Sequence, residues 1–153
     1  MPKKHEISRI AEVEAAEPYV LRVTFENGIR ADIDLRAHIE KHARIFAPLR
    51  DNPALWAGVQ LDAWGWDVQW DDADMAIPAD LLWRLRLYRT GEAMAPEAFA
   101  QWMERHGLTL DRAAAVLGVS RRQVAYYKSG QQLIPKTVRL ACLGATQELD
   151  KAS

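Results

Sequence analysis

The chain has 153 residues, 49% of them hydrophobic and 27% charged, with a formal net charge of −1 and one cysteine. That length suits one ordinary domain or two small ones, and the composition is that of a globular protein. A single cysteine excludes an intramolecular disulfide and a cysteine metal cluster. No apolar run approaches a membrane span and MPKKHEISRI lacks a signal-peptide core, so a cytoplasmic protein with no membrane association is expected.

The first half reads mostly with period two. Ile7 to Val13 is expected as a strand, with a turn at Glu17-Pro18. YVLRVTF places Tyr19, Leu21, Val23 and Phe25 on one face and Val20, Arg22 and Thr24 on the other. Asn27-Gly28 supplies the positive φ of a tight hairpin, and IRADIDL returns as the paired strand. Leu35 to His42 fits a short helix, and PLRDNPALW a helical turn around two prolines. VQLDAWGWDVQW reads as a second hairpin about Ala63-Trp64-Gly65, with Asp71-Asp72 starting the next turn. A short strand at Met75 to Ile77 leads to a helix over Pro78 to Tyr88, with proline at its first position. Residues 1–90 are therefore expected to form an α+β domain: a small antiparallel sheet with one or two short helices.

Past the connector Thr90-Gly91-Glu92-Ala93 the period becomes helical, and residues 91–153 are expected to form an all-α domain. Pro96 opens a helix with Phe99, Trp102 and Met103 on its apolar face, and Gly107 suits a left-handed end. Thr109 and Ser120 are candidate N-caps for the next two helices, which Gly118 and Ser129-Gly130 close. Pro135 opens a last helix with Val138, Ala141 and Cys142 on one face.

Charge is uneven along the chain. Residues 1–90 carry twelve basic and fifteen acidic side chains, whereas residues 105–139 carry seven basic ones against Asp111 alone. The imbalance suits an anionic partner for the second region. RAAAVLGVSRRQVAYYKSG, residues 112–130, lies at its centre. Two short helices crossing steeply need a small residue at the crossing, a left-handed turn residue and an apolar anchor on the second helix. Ala114, Gly118 and Val124 meet those needs at the right spacing, and Leu117, Val119 and Tyr127 supply further inward contacts.

On these residues the region from Pro96 to Gly144 resembles the lambda-repressor and Cro type of helix-turn-helix domain, the Xre-like regulators. The upstream half resembles a bacterial family of small uncharacterised α+β domains, through YVLRVTFENG, IFAPLRDNPALW and a Trp-containing hairpin leading into AIPADLLW. The first resemblance implies a homodimer reading double-stranded DNA; the second implies almost no biochemistry. Two positions depart from the repressor pattern: Leu110 stands where a Gln is common, and Tyr127-Lys128 ends the second helix where an aromatic-acid pair is usual.

With Val124 and Tyr127 inward, the start of the second helix places Arg121, Arg122 and Gln123 toward base edges, joined by Tyr126. Thr109, Arg112, Ser120, Lys128, Gln131, Gln132 and Lys136 are candidate phosphate contacts near helix ends or in the following loop. Two arginines at a helix N-terminus oppose its macrodipole, which an external polyanion would offset.

The remaining chemistry-bearing residues read as structural. His38 and His42 share a helix face but lack a third ligand, Asp71, Asp72 and Asp74 suit a solvated turn, and Cys142 suits an apolar face. Five tryptophans before residue 90 suit a core or a dimer surface. No nucleophile motif or phosphate-binding glycine loop occurs, so no catalysis, cofactor or metal is expected. The expected function is transcriptional regulation through sequence-specific DNA binding, with the first domain dimerising or receiving a protein or ligand. The alternative is an interaction adaptor, antitoxin-like, whose helical module is structural.

Overall fold

The computed structural model describes residues 8–70 and 75–151. The acidic turn expected at Asp71, Asp72 and Asp74 lies outside them, as does Ile7. The architecture is mixed, with small antiparallel sheets and several helices. Two compact units divide between Arg86 and Leu87.

In the first unit β1 (Ile10–Ala15), β2 (Val20–Phe25) and β3 (Arg30–Asp34) form an antiparallel sheet in chain order. Alternation decides which face is buried: Leu21, Val23 and Phe25 point inward with Ile33, and Arg22 points out. There Arg22 bonds Glu14 and Asp32 at 3.1 Å each, an exposed triad that raises the guanidinium pKa and adds little stability. A register shift between Ile10 and Glu12 marks a bulge in β1. Gly28, at φ 90°, closes the β2–β3 turn, while the Asn27 side chain accepts from the Ile29 N–H at 3.0 Å.

Helices α1 (Arg36–Lys41), α2 (Ala43–Phe46) and α3 (Pro53–Ala57) follow, with a 3-10 turn at Ala47–Leu49. Asn52 caps α3 by accepting from the Leu55 N–H at 3.1 Å, and Pro53 takes its first turn. A second antiparallel sheet joins β4 (Gln60–Leu61), β5 (Asp67–Gln69) and β6 (Ala76–Pro78). Pro78 ends β6 rather than opening α4 (Ala79–Thr90), because the Ala79 N–H still donates to the Trp66 carbonyl at 2.7 Å. The tryptophans divide by role. Trp56, Trp70 and Trp83 are buried, with Trp56 stacked on Trp70 at 5.2 Å, whereas Trp64 and Trp66 remain 70% and 46% exposed.

In the second unit α5 (Pro96–Arg105), α6 (Leu110–Leu117), α7 (Arg121–Ser129) and α8 (Lys136–Lys151) surround one core. Phe99, Trp102, Met103, Ala113, Ala114, Val124, Tyr127, Ile134 and Cys142 are buried in it. The unit is not purely α-helical: β7 (Ala93–Met94) pairs antiparallel with β8 (Ile134–Pro135). Pro135 therefore ends a strand pairing, and α8 starts one residue later. Ala141 is exposed instead of inward. The packed stripe of α8 is Val138, Cys142, Ala145 and Leu149, spaced i, i+4, i+7 and i+11, and it turns Ala141 toward the surface with Leu140 and Leu143.

Candidate nucleic-acid interface

Helices α6 and α7 owe their ends to local chemistry. Thr109 Oγ1 accepts from the Arg112 N–H at 3.1 Å and Ser120 Oγ from the Gln123 N–H at 3.0 Å, each satisfying one orphan donor of its helix. Gly118 ends α6 in the left-handed region at φ 71°, and the N–H groups of Gly118 and Val119 both donate to the Ala114 carbonyl. Gly130, at φ 81°, ends α7 in the same way. The second helix is rotated by its anchors. Val124 and Tyr127 are buried, Tyr127 meets Phe99 edge-on at 5.9 Å, and Leu117 and Val119 pack partly buried against the same core. Burial pushes the Tyr127 hydroxyl pKa up, opposed by a hydrogen bond with Gln123.

That rotation leaves Arg121, Arg122, Lys128 and Ser129 exposed and Gln123, Ala125 and Tyr126 half-buried. The outer face is organised before any ligand arrives. Arg122 Nε donates to the Tyr126 hydroxyl at 2.6 Å with its guanidinium 5.3 Å from that ring's centre. The Gln123 amide donates to Gln132 Oε1, tying the helix start to the loop beyond its end. Arg121 stands 3.7 Å from Asp111 on α6, an exposed pair worth little in water and readily exchanged for another anion. The absence of acidic residues in the first turn of α7 leaves its partial positive charge uncompensated from within.

The backbone contacts named from sequence are spread more widely. Thr109 and Ser120 each accept one backbone N–H as caps, and each hydroxyl hydrogen can still donate. Arg112, Lys128, Gln131, Gln132 and Lys136 are exposed, with the Gln131 N–H donating to Ser129 Oγ at 3.3 Å. Arg139 belongs to the basic run in sequence but not to this face: its Nε donates to the Gly91 carbonyl at 2.9 Å. Leu110 packs against the core, so this position supports α6 and offers no polar contact.

Sequence reasoning missed the Asp111–Arg121 and Gln123–Gln132 pairings, since each joins side chains whose separation depends on the helix crossing and loop path. Elsewhere, His38 and His42 lie 4.6 Å apart between ring centres, and burial, followed by the charges of His42 and Lys41, lowers the His38 pKa. Among the described residues no group of three or more His, Cys, Asp or Glu is placed to hold a metal ion. No described helix is long and apolar enough to cross a membrane.

Residues 10–88 match the family model described as protein of unknown function (DUF2442), which spans about half the chain. The chain belongs to the DUF2442 family. A solved structure of similar length resembles this DUF2442 protein across both units: the crystal structure of a Nitrosomonas europaea ATCC 19718 protein named "Putative DNA Binding Protein". It is 35% identical, with 89% of this chain and 84% of that chain covered and a TM-score of 0.52. No curated protein matches this DUF2442 member.

Proposed function

We propose that this DUF2442 protein is a transcriptional regulator whose second unit is a lambda-repressor-like helix-turn-helix domain reading DNA with α7. The observation that carries the reading is the arrangement at Gly118: two capped helices joined by a left-handed glycine, with the second anchored by Val124 and Tyr127 and presenting Arg121, Arg122 and Gln123 outward. The similarity to a Nitrosomonas protein named for DNA binding supports it.

In this reading Arg121 or Arg122 donates two bonds to guanine O6 and N7, and Gln123 bridges adenine N6 and N7. Arg122 is held upright by Tyr126, which lowers the entropy lost when it meets a base edge. Thr109, Ser120, Arg112, Lys128, Gln131, Gln132 and Lys136 hold phosphates and set the register. The protein acts as a homodimer and binds without catalysing a reaction.

Fluorescence anisotropy with DNA selected from a random pool tests the reading. Arg121→Ala with Arg122→Ala is expected to weaken binding by about ten-fold or more, and wild-type affinity should fall steeply with salt. Unchanged affinity in the double variant sinks the assignment of these arginines.

A second reading rests on Trp64 and Trp66, which lie exposed in the β4–β5 turn. Large exposed aromatics suit a protein partner, and the protein would then be an adaptor with a structural helical module. Co-purification of a stoichiometric partner, lost in Trp64→Ala, together with no DNA shift at low salt would select it.

A further inference from the structure

We propose that a cleft in the first unit, between the β1–β2 turn and α3, binds a small organic cation. The site lies wholly within that unit and does not rest on the DNA reading.

The cleft encloses ≈ 370 Å³, within the range of small-molecule sites. Tyr19, Leu49, Pro53 and Trp56 supply an apolar and aromatic lining, and Glu17 and Asp51 are its two acidic residues. No Lys, Arg or His is among the lining residues. An anionic ligand would meet two acidic residues and no basic one in the lining, whereas a protonated amine would meet both acidic residues and two aromatic side chains. Neither carboxylate has a hydrogen-bond or ion-pair partner among the described residues. The Trp56 donor, by contrast, is spent: its Nε1–H donates to the Glu17 carbonyl at 3.0 Å. Outside the lining, the Arg36 guanidinium lies 5.9 Å from the Tyr19 ring centre.

Backbone strain converges on the same place. Tyr19 at φ 68° and Asp51 at φ 58° are the only non-glycine residues in the left-handed region among those described, and both line this cleft. Asp tolerates that region moderately well; a bulky tyrosine is a sharper outlier. They hold one another, since the Asp51 N–H donates to the Tyr19 hydroxyl at 3.3 Å. The Leu35 N–H fixes the Tyr19 carbonyl at 2.7 Å, and Tyr19 meets Trp56 edge-on at 5.7 Å. Glycine would take either conformation without strain, yet a tyrosine and an aspartate stand there and both line one cavity. Strain sustained by its surroundings gathers at ligand clamps.

Titration of the isotopically labelled full chain with benzylamine, benzyl alcohol and benzoate tests this, read at the indole N–H resonances and assigned with Trp56→Phe. Benzylamine is expected to shift the Trp56 resonance saturably, and benzyl alcohol to bind up to about five-fold more weakly, as loss of ion pairing with exposed carboxylates implies. Benzoate should leave the resonance in place. Glu17→Gln with Asp51→Asn should bring the amine down to the alcohol's affinity, and asparagine keeps the left-handed turn accessible. Equal binding of amine and alcohol, undiminished binding by the double variant, a shift confined to the exposed Trp64 and Trp66, or no Trp56 shift up to the solubility limit would each overturn the proposal.

Discussion

Gly118 and Gly65 hold similar positive φ, 71° and 75°, for different reasons. A Cβ on Gly118 would meet nothing within 4 Å, so only the left-handed backbone demands glycine there. A Cβ on Gly65 would stand 2.5 Å from the Ile10 carbonyl oxygen, where the β4–β5 turn lies against β1 and the Ile10 N–H donates to the Gly65 carbonyl at 2.8 Å. Gly118→Ala is therefore expected to cost about 1 kcal/mol and Gly65→Ala roughly 2–4 kcal/mol, measured by urea unfolding. Equal costs would disprove the close approach. Cys142 supplies a second test. Burial pushes its thiol pKa from 9.0 up to about 11. The unfolded chain ionises first as pH rises, so the second unit loses stability between about pH 9 and 11, by roughly 2–3 kcal/mol. Tyr127, also raised by burial, extends the loss above pH 10.0. Cys142→Ala should remove the earlier part of the decline and leave the later part; an unchanged profile would mean the thiol is hydrated.

Helices α6 and α7 have ends set by residues adjacent in sequence, which is why Thr109, Gly118, Ser120 and Gly130 were legible without a fold. The Ser120 hydroxyl has two proposed roles, as cap and as phosphate donor, and two substitutions separate them. Ser120→Ala is expected to lower stability by about 1 kcal/mol, and Ser120→Gly by only a few tenths, because glycine is itself tolerated at an N-cap. Both lose the hydroxyl, so similar losses in DNA affinity alongside unequal melting temperatures support a direct contact. DNA affinity that simply follows stability would leave Ser120 as a cap alone. Two features at this scale were not legible. The pairing of Ala93–Met94 with Ile134–Pro135 is two residues long and joins segments far apart in the chain, so it has no periodicity to read. Ala141 lies near the edge of the apolar stripe of α8, and only the packing of Cys142 and Ala145 shows which way the helix is turned.

For the molecule as a whole, the dimer in the proposed function makes a geometric demand on DNA. Two copies of α7 presented on one duplex face should favour half-sites about 34 Å apart, one helical turn. Inserting about five base pairs between half-sites rotates one of them to the opposite face, and affinity measured by gel shift should fall sharply. Affinity indifferent to spacing would indicate a monomeric reader. The charge asymmetry belongs to this scale too. Most of the basic side chains between residues 105 and 139 lie exposed, but Arg139 is bound to Gly91, so the surface charge is smaller than the sequence count. Salt dependence, which counts phosphates met, should reflect the smaller number.

The amino-acid sequence by itself determined the alternation that buries Leu21, Val23 and Phe25, the turn at Asn27-Gly28, and the capped helices on either side of Gly118. Each of these is written in neighbouring residues, because backbone sterics and capping act over a few positions. Tertiary structure alone decided what depends on residues brought together from a distance: the core packing of Leu110, the pairings Arg121–Asp111 and Gln123–Gln132, and the exposure of Trp64 and Trp66 beside buried tryptophans. The cleft is the clearest case. Tyr19 and Asp51 lie 32 positions apart and neither is a residue that the left-handed region favours as it does glycine. Only the folding of α3 against the β1–β2 turn sets their strain and their carboxylate-bearing cavity in one place.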